Sequence, residues 1–175
     1  MVGKRKNQKV KKVIICVIIS MSLIFTTVLS SFAAYLLDWW LLDSGGHLDW
    51  GGSTSYQTNF NTGVNTWNAY KPGMIRADTA STIQDVTISD YTEENNTAAQ
   101  TSALGYIRFN KHVMKKLTSS QKKNVCTHEL GHALGIGHLS SGDVMYFAVS
   151  SVYSLSTNDK NAFISSWIRI FGIPG

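Results

Sequence analysis

The sequence predicts a single α+β or α/β domain of about 140 residues, preceded by an apolar N-terminal segment. Three observations support this prediction. Apolar residues repeat with a helical spacing between positions 56 and 70, short strand-like segments lie between positions 74 and 109, and two later helices begin with capping signals. Hydrophobic residues make up 43% of the 175 residues, so enough surface can be buried to exclude a disordered protein.

The part of the domain before position 75 contains one clear helix and one less regular segment. Residues 35–55 combine the Trp39-Trp40 pair with a Gly45-Gly46 pair, and we interpret them as two short strands about a turn. The helix ends at Pro72-Gly73. Its apolar positions are Tyr56, Phe60, Val64 and Trp67.

Three strands and a loop are predicted next. Residues 74–77 and 86–89 have the composition of strands, and residues 90–100 are polar and predict a loop. Residues 104–109 alternate apolar with small or polar side chains, which indicates a half-exposed strand.

Two helices complete the domain. Thr118 followed three residues later by Gln121 is a capping-box pattern, and it predicts a central helix that runs to about Leu134. Gly135 lies where a left-handed C-terminal cap is expected. The terminal helix begins near residues 156–157 and carries the apolar residues Phe163, Ile164, Trp167, Ile168 and Phe171.

Residues 1–33 have the pattern of a secretory signal peptide. Six of the first twelve residues are basic, residues 13–29 are mostly apolar, and Ser31-Phe32-Ala33 is a small-x-small cleavage pattern. A retained membrane anchor is the alternative, because residues 13–37 carry no charge and are long enough to span a bilayer. In both cases we expect residues 34–175 outside the cell, either secreted or anchored and facing outward.

The charge and the cysteine content argue against a nucleic-acid-binding protein and against a domain held by disulfides. The net charge of +5 comes from the basic start, since ten basic and eleven acidic residues follow from Ala34 onward and give −1. That balance disfavours nucleic-acid binding. Cys126 is the only cysteine after residue 33, so no disulfide can form within the domain. A catalytic thiol is the less favoured interpretation, because Cys126 lies on a helix whose other residues indicate different chemistry.

The central helix carries residues that suit a metal site. His128 and His132 are four apart, so both imidazoles leave one helix face and can meet one Zn²⁺ at about 2.0–2.1 Å. Glu129 can accept a proton from a metal-activated water without being a ligand. Gly135 can take positive φ, which lets the chain return His138 as a third ligand. Three neutral imidazoles leave a position open for water, as in catalytic zinc sites.

This motif is followed by Asp143-Val144-Met145-Tyr146, and together they resemble the metzincin metalloproteases with their Met-turn. Within the metzincins, the chain is similar to the matrixins and their small secreted bacterial relatives. The similarity is close over residues 104–167 and only general over residues 35–103. It includes Ile107-Arg108-Phe109-Asn110, residues 121–125 and Leu155-Ser156-Thr157-Asn158-Asp159.

The resemblance implies an α+β, zincin-like catalytic domain over residues 34–175. Its fold would be a mixed twisted β-sheet with an antiparallel edge strand and three helices. It also implies that His128, His132 and His138 bind one catalytic Zn²⁺, and that Glu129 is the general base and proton shuttle.

Further site residues follow from the same resemblance. Met145 would form a hydrophobic floor beneath the metal, and Tyr146 would lie near the specificity wall, with a fifth-ligand tyrosine as the less favoured role. Residues 147–153 would form the wall of the pocket. The edge strand that holds the substrate backbone by β-augmentation would fall on residues 104–109. The residues expected to bind the substrate backbone in this strand are Leu104, Gly105, Tyr106 and Ile107.

Several features depart from the family pattern. Only His47 and His112 remain for the second, structural zinc of matrixins, so we expect one zinc. No cysteine-bearing propeptide precedes the domain, so the cysteine-switch form of latency is not expected. The usual paired aspartates are replaced by Asn158-Asp159. The acidic loop Asp90 to Glu94 is either a Ca²⁺ site or, as the simpler interpretation, a solvated loop.

The sequence therefore predicts a monomeric, secreted zinc endopeptidase that acts on a protein or peptide substrate and contacts a membrane only through an uncleaved N-terminus. Two alternatives stay open. One is another zinc amide hydrolase, acting on cell-wall peptides or small amides, and the other is a zinc-stabilised binding module without turnover.

Overall fold

The structure, a computed structural model, describes residues 36–172, and the predicted signal segment lies outside the described residues. Within this range, no helix is long and apolar enough to cross a membrane. The elements in chain order are β1 (Leu48–Gly52), α1 (Gln57–Tyr70), β2 (Ile75–Ala77), β3 (Val86–Tyr91), β4 (Ala99–Ser102), β5 (Tyr106–Asn110), α2 (Lys111–Met114), α3 (Ser119–Ala133) and α4 (Thr157–Phe171).

The five strands form one mixed sheet in the order β2-β1-β3-β5-β4. Strand β1 pairs in parallel with both β2 and β3, and β3 pairs in parallel with β5. Strand β4 runs antiparallel to β5, with Thr101 opposite Ile107, and its other edge pairs with no strand among residues 36–172. The α+β class, the mixed sheet and the antiparallel edge strand are thereby confirmed.

The helices differ from the prediction by one element. The three predicted helices are present as α1, α3 and α4, and the described residues add the four-residue α2. It follows directly after β5 because the side chain of Asn110 accepts a hydrogen bond from the backbone N–H of His112, which caps the helix.

The assignment of the edge strand to residues 104–109 was wrong. Strand β5 lies between β3 and β4, and Leu104 and Gly105 belong to the turn that joins β4 to β5. Leu104 is 85% exposed, and Gly105 has a φ of +81°. The edge is β4, whose sequence Ala-Gln-Thr-Ser is small and polar; its first two residues fell in the predicted loop and its last two were assigned to no element. Only pairing with β5 makes this segment a strand, since its residues carry little β propensity beyond one threonine.

Helix α1 connects the sheet to α3. Phe60 packs edge-to-face against Trp50 of β1 and Phe109 of β5, with ring centroids 5.1 and 6.3 Å apart. On the other side, the indole N–H of Trp67 donates to the carbonyl of Thr127 at 2.9 Å. The two helices approach closely at Gly63, where a Cβ atom would lie 3.0 Å from the backbone nitrogen of Thr127. The buried core thus fixes α3 relative to the sheet.

Of the two strands predicted about a turn in residues 35–55, only the second is present, as β1. A turn at residues 44–46 precedes β1, but the residues before it bind the end of α3 and the turn that follows it. Leu37 donates to Gly135 at 3.0 Å and Leu41 to Ala133 at 2.8 Å. The Arg169 guanidinium lies over the Trp40 ring, which holds this N-terminal segment against α4. The partner of residues 36–41 is therefore remote in sequence.

Candidate metal centre

Helix α3 positions the first two histidines and the glutamate. Its start is fixed by the predicted capping box, in which Thr118 accepts from the N–H of Gln121 and the Gln121 side chain accepts from the N–H of Thr118. Nine of the last ten helical residues are buried, among them His128 and Glu129 with 9% and 6% exposed. Two histidines and the glutamate of the candidate site therefore lie on the buried part of this helix.

The chain leaves this helix at Gly135, which has a φ of +83° as predicted. Gly135 donates to the carbonyl of His132 at 2.9 Å, and Ile136 donates to that of Gly131 at 3.1 Å. The Ser166 hydroxyl of α4 donates to the carbonyl of Leu134 at 2.7 Å. It thereby bonds a carbonyl group that would have no partner at the end of the helix. This turn reverses the direction of the chain and places His138 beside the helix face that carries His128 and His132.

The structure brings the three histidines together. The ring centroids of His128 and His132 are 4.6 Å apart, and His138 lies 5.4 and 5.0 Å from them. Each ring offers one nitrogen, and these three atoms lie within 4.8 Å of one another. The cluster can therefore bind a metal ion.

Hydrogen bonds set the tautomers of the two helical histidines. The Nδ1 atom of His128 is 2.9 Å from the carbonyl oxygen of Val144, and that of His132 is 2.8 Å from the carbonyl oxygen of Ile136. A carbonyl can only accept, so in both rings Nδ1 carries the hydrogen and Nε2 is left with its lone pair. Burial lowers the pKa of both imidazoles to about 4, so they are neutral at pH 7. This donor set fits a divalent metal that prefers nitrogen ligands.

Glu129 lies beside the cluster and is almost fully buried. Burial raises the pKa of its carboxyl group, while the nearby His132 and a hydrogen bond from Thr101 act in the opposite direction. The Thr101 hydroxyl donates to Oε2 of Glu129 at 2.6 Å. Sequence reasoning missed Thr101, because a threonine between the predicted loop and the predicted strand carries no signal that it faces a carboxylate.

Met145 is fully buried and packs beneath the helix segment between the two histidines. A Cβ atom added to Gly131 would lie 2.2 Å from its sulfur, so this contact requires a glycine. The loop is held by the carboxylate of Asp159, which accepts from the N–H groups of Val144 and Met145 at 3.0 and 3.1 Å. Asn158 contributes separately, since its amide lies 3.3 Å from both carboxylate oxygens of Asp143.

A cleft of about 600 Å³ runs past the cluster. One side is the edge strand β4 with the residues before it, the floor is α3, and the other side is the loop after Met145, with Phe147 68% exposed. The strand that borders the site is therefore β4, whereas residues 104–109 were expected in this place from the sequence. Glu129 is the only residue of the lining with a formal charge when the histidines are neutral. The lining consists of Asn96, Thr97, Ala98, Ala99, Gln100, Thr101, Asn124, Val125, His128, Glu129, His132, His138, Tyr146, Phe147, Ala148 and Val149.

A second cluster, formed by Asp43, Asp49 and Asp85, has a structural explanation. Asp49 is 2% exposed and binds the Arg76 guanidinium through both oxygens, at 2.8 and 2.7 Å. Asp85 accepts from the N–H of Asp49 at 2.8 Å, and Asp43 accepts from that of His47 at 2.7 Å. The carboxylates are thus paired with the chain's own donors.

The other sequence candidates lie apart from the histidine cluster. Within residues 36–172, only the histidine trio and the aspartate trio place three candidate ligand atoms together, and the acidic loop Asp90 to Glu94 belongs to neither. Asp90 accepts from the Thr54 hydroxyl and from the N–H of Ser55. Cys126 is fully buried, and burial raises the pKa of its thiol, so it is an unreactive core residue.

In comparisons with known proteins, no family model and no curated protein matches this chain. The metzincin resemblance therefore stays an expectation from the sequence motifs. What the structure adds is an α+β domain in which His128, His132 and His138 form a candidate metal centre beside Glu129.

Proposed function

We propose that the protein is a zinc-dependent endopeptidase with a zincin-like catalytic domain. The observation that carries this proposal is the convergence of three imidazoles, two of them held as Nδ1–H tautomers, beside a buried carboxylate on the wall of an open cleft. A structural metal site is closed by its protein ligands and has no use for an adjacent carboxylate. The same domain, exported by residues 1–33, would act outside the cell.

The residues fit Zn²⁺ and its chemistry. His128, His132 and His138 would hold the ion through nitrogen, and three protein ligands leave one position for water or substrate. A bound zinc would lower the pKa of water to about 7 and polarise the carbonyl of the scissile bond.

Glu129 would move the proton. Its carboxylate accepts a proton as water attacks the scissile carbonyl and then delivers that proton to the leaving amine. Burial raises the pKa of this carboxyl, which brings its proton affinity closer to that of the groups with which it exchanges the proton.

The cleft supports a peptide as substrate. In the described part of the chain, strand β4 has an unpaired edge beside the site, so its main-chain N–H and C=O groups can pair with an extended peptide by β-augmentation. The opposite wall, from Tyr146 to Val149, would contact the side chains next to the scissile bond. An edge strand and an open cleft suit a long chain better than a small amide.

Glu129→Ala and His132→Ala test the proposal together, with zinc content and casein cleavage as readouts. Glu129→Ala should keep one zinc per chain and lose at least about a hundredfold in activity, because only the proton acceptor is removed. His132→Ala should lose zinc and activity together. His47→Ala, which lies outside the cluster, is the matched control and should keep both. Wild-type activity in Glu129→Ala would show that the base assignment is wrong.

A further inference from the structure

Thr101 of the edge strand β4 contacts the buried Glu129 at hydrogen-bonding distance. The Thr101 hydroxyl lies 2.6 Å from Oε2 of Glu129 and 3.1 Å from the backbone carbonyl oxygen of the same residue. A hydroxyl has one hydrogen to donate, and the shorter distance assigns it mainly to the carboxylate. Thr101 therefore forms a short charge-assisted hydrogen bond between β4 and α3.

Two features make this bond suitable for holding the carboxylate in one orientation. Threonine is branched at Cβ and has few accessible rotamers, whereas a glutamate side chain has three rotatable bonds. The position of Thr101 is itself fixed by backbone pairing with Ile107 of β5. Within residues 36–172, no other side chain donates to the carboxylate of Glu129.

We propose that Thr101 is a positioning residue that holds Oε2 of Glu129, so that Oε1 is directed to the reacting water. The inference rests on the proposed function. It also links two parts of the site, because the strand expected to pair with the substrate backbone is the strand that orients the proton acceptor. Thr101 acts through Glu129 and does not contact the reacting atoms.

Two substitutions separate the hydroxyl from the rest of the side chain. Thr101→Val keeps the shape and removes the donor, while Thr101→Ser keeps the donor. In zinc-loaded protein, Thr101→Val should lower kcat roughly 10- to 100-fold with KM and zinc content unchanged, since only the orientation of the base is lost. Thr101→Ser should recover most of kcat. Thr87→Val, an exposed strand residue on the opposite face of the sheet, is the matched control and should leave kcat unchanged.

A second readout does not depend on activity. In metal-free protein, Thr101→Val should lower the urea midpoint of unfolding in the wild-type background and lower it less in the Glu129→Ala background. This non-additivity measures the bond directly. Additive effects would overturn the contact, and a Thr101→Val variant with wild-type kcat would overturn the positioning role.

The remaining outcomes are also distinguishable. If Thr101→Val loses zinc in step with kcat, or if Thr101→Ser is as impaired as Thr101→Val, the hydroxyl does not act through the carboxylate and the inference is wrong. If wild-type protein shows no chelator-sensitive cleavage of casein, the proposed function fails instead. The double-mutant cycle would still decide whether Thr101 and Glu129 are coupled.

Discussion

Replacing Gly131 with alanine tests how helix α3 packs on the loop that carries Met145. Gly131 lies between the two helical histidines, and an added Cβ would be 2.2 Å from the sulfur of Met145 and 3.2 Å from Cζ2 of Trp67. Both distances are below the normal van der Waals separation of about 3.5–4.0 Å. Met145 is fully buried and its backbone N–H is bonded to Asp159, so its sulfur has little free space to move into.

Two opposing effects determine how much Gly131→Ala changes the free energy of unfolding. Alanine in place of glycine within a helix contributes about 0.5–1 kcal/mol of stability, whereas overpacking of a filled core costs about 1–3 kcal/mol. The sulfur contact is more than 1 Å too short, which places the cost at the upper end of that range. We therefore expect Gly131→Ala to lower the free energy of unfolding by about 2 kcal/mol and to weaken zinc binding, because the ligands on both sides of it shift.

Urea unfolding of the metal-free protein measures this effect, and a second substitution supplies the control. Met145→Ala destabilises the protein on its own by leaving a cavity. In that background the sulfur is gone, so Gly131→Ala should become neutral or stabilising, a reversal of sign. If Gly131→Ala stabilises the wild-type protein, or if its effect is the same in both backgrounds, the packing argument is refuted.

Three further predictions concern the supports of the site. Asp159→Asn should lower the free energy of unfolding by about 2–4 kcal/mol, because the buried carboxylate accepts from Val144 and Met145 and the substitution turns an N–H₂ group toward those donors. Urea unfolding measures this effect, and the exposed Asp38→Asn variant should change little. Burial lowers the pKa of His128 and His132 from 6.5 to about 4. The unfolded chain therefore binds more protons between these values, and the metal-free protein should lose stability as the pH falls from about 6.5 to 4. Equal urea midpoints at pH 7 and pH 5 would contradict this. Finally, zinc at a hundredfold excess over its Kd should stabilise the folded chain by about 2.7 kcal/mol, and a chelator should remove that gain in a thermal melt.

Elements whose signals are local were predictable. The capping box at Thr118 and Gln121, the positive φ of Gly135 and the helical repeat around Phe60 each depend on residues within a few positions of one another. The same holds for the pair His128 and His132, because their spacing on a helix places both rings on one face whatever surrounds them.

Elements whose partners are remote in sequence could not be predicted. Residues 36–41 pair with the end of α3 and the turn after it, almost a hundred positions away, although they were predicted to form the first of two strands about the turn at Gly45-Gly46. Strand β4 is a strand because β5 pairs with it, and its own composition indicates a loop. The support of the Met145 loop by Asp159 has no local signature either, although the capping role of Asp159 at the start of α4 does.

The sequence by itself determined which atoms are available at the metal site, since a single helix and the turn after it carry all three histidines and the glutamate. Only the tertiary structure decided how those atoms are presented. The tautomers depend on the carbonyl oxygens of Val144 and Ile136, the carboxylate is held by Thr101, and the cleft is bordered by β4. The physical reason is that ring orientation, burial and strand pairing depend on groups brought near by packing of the whole domain, which spacing along one helix does not encode.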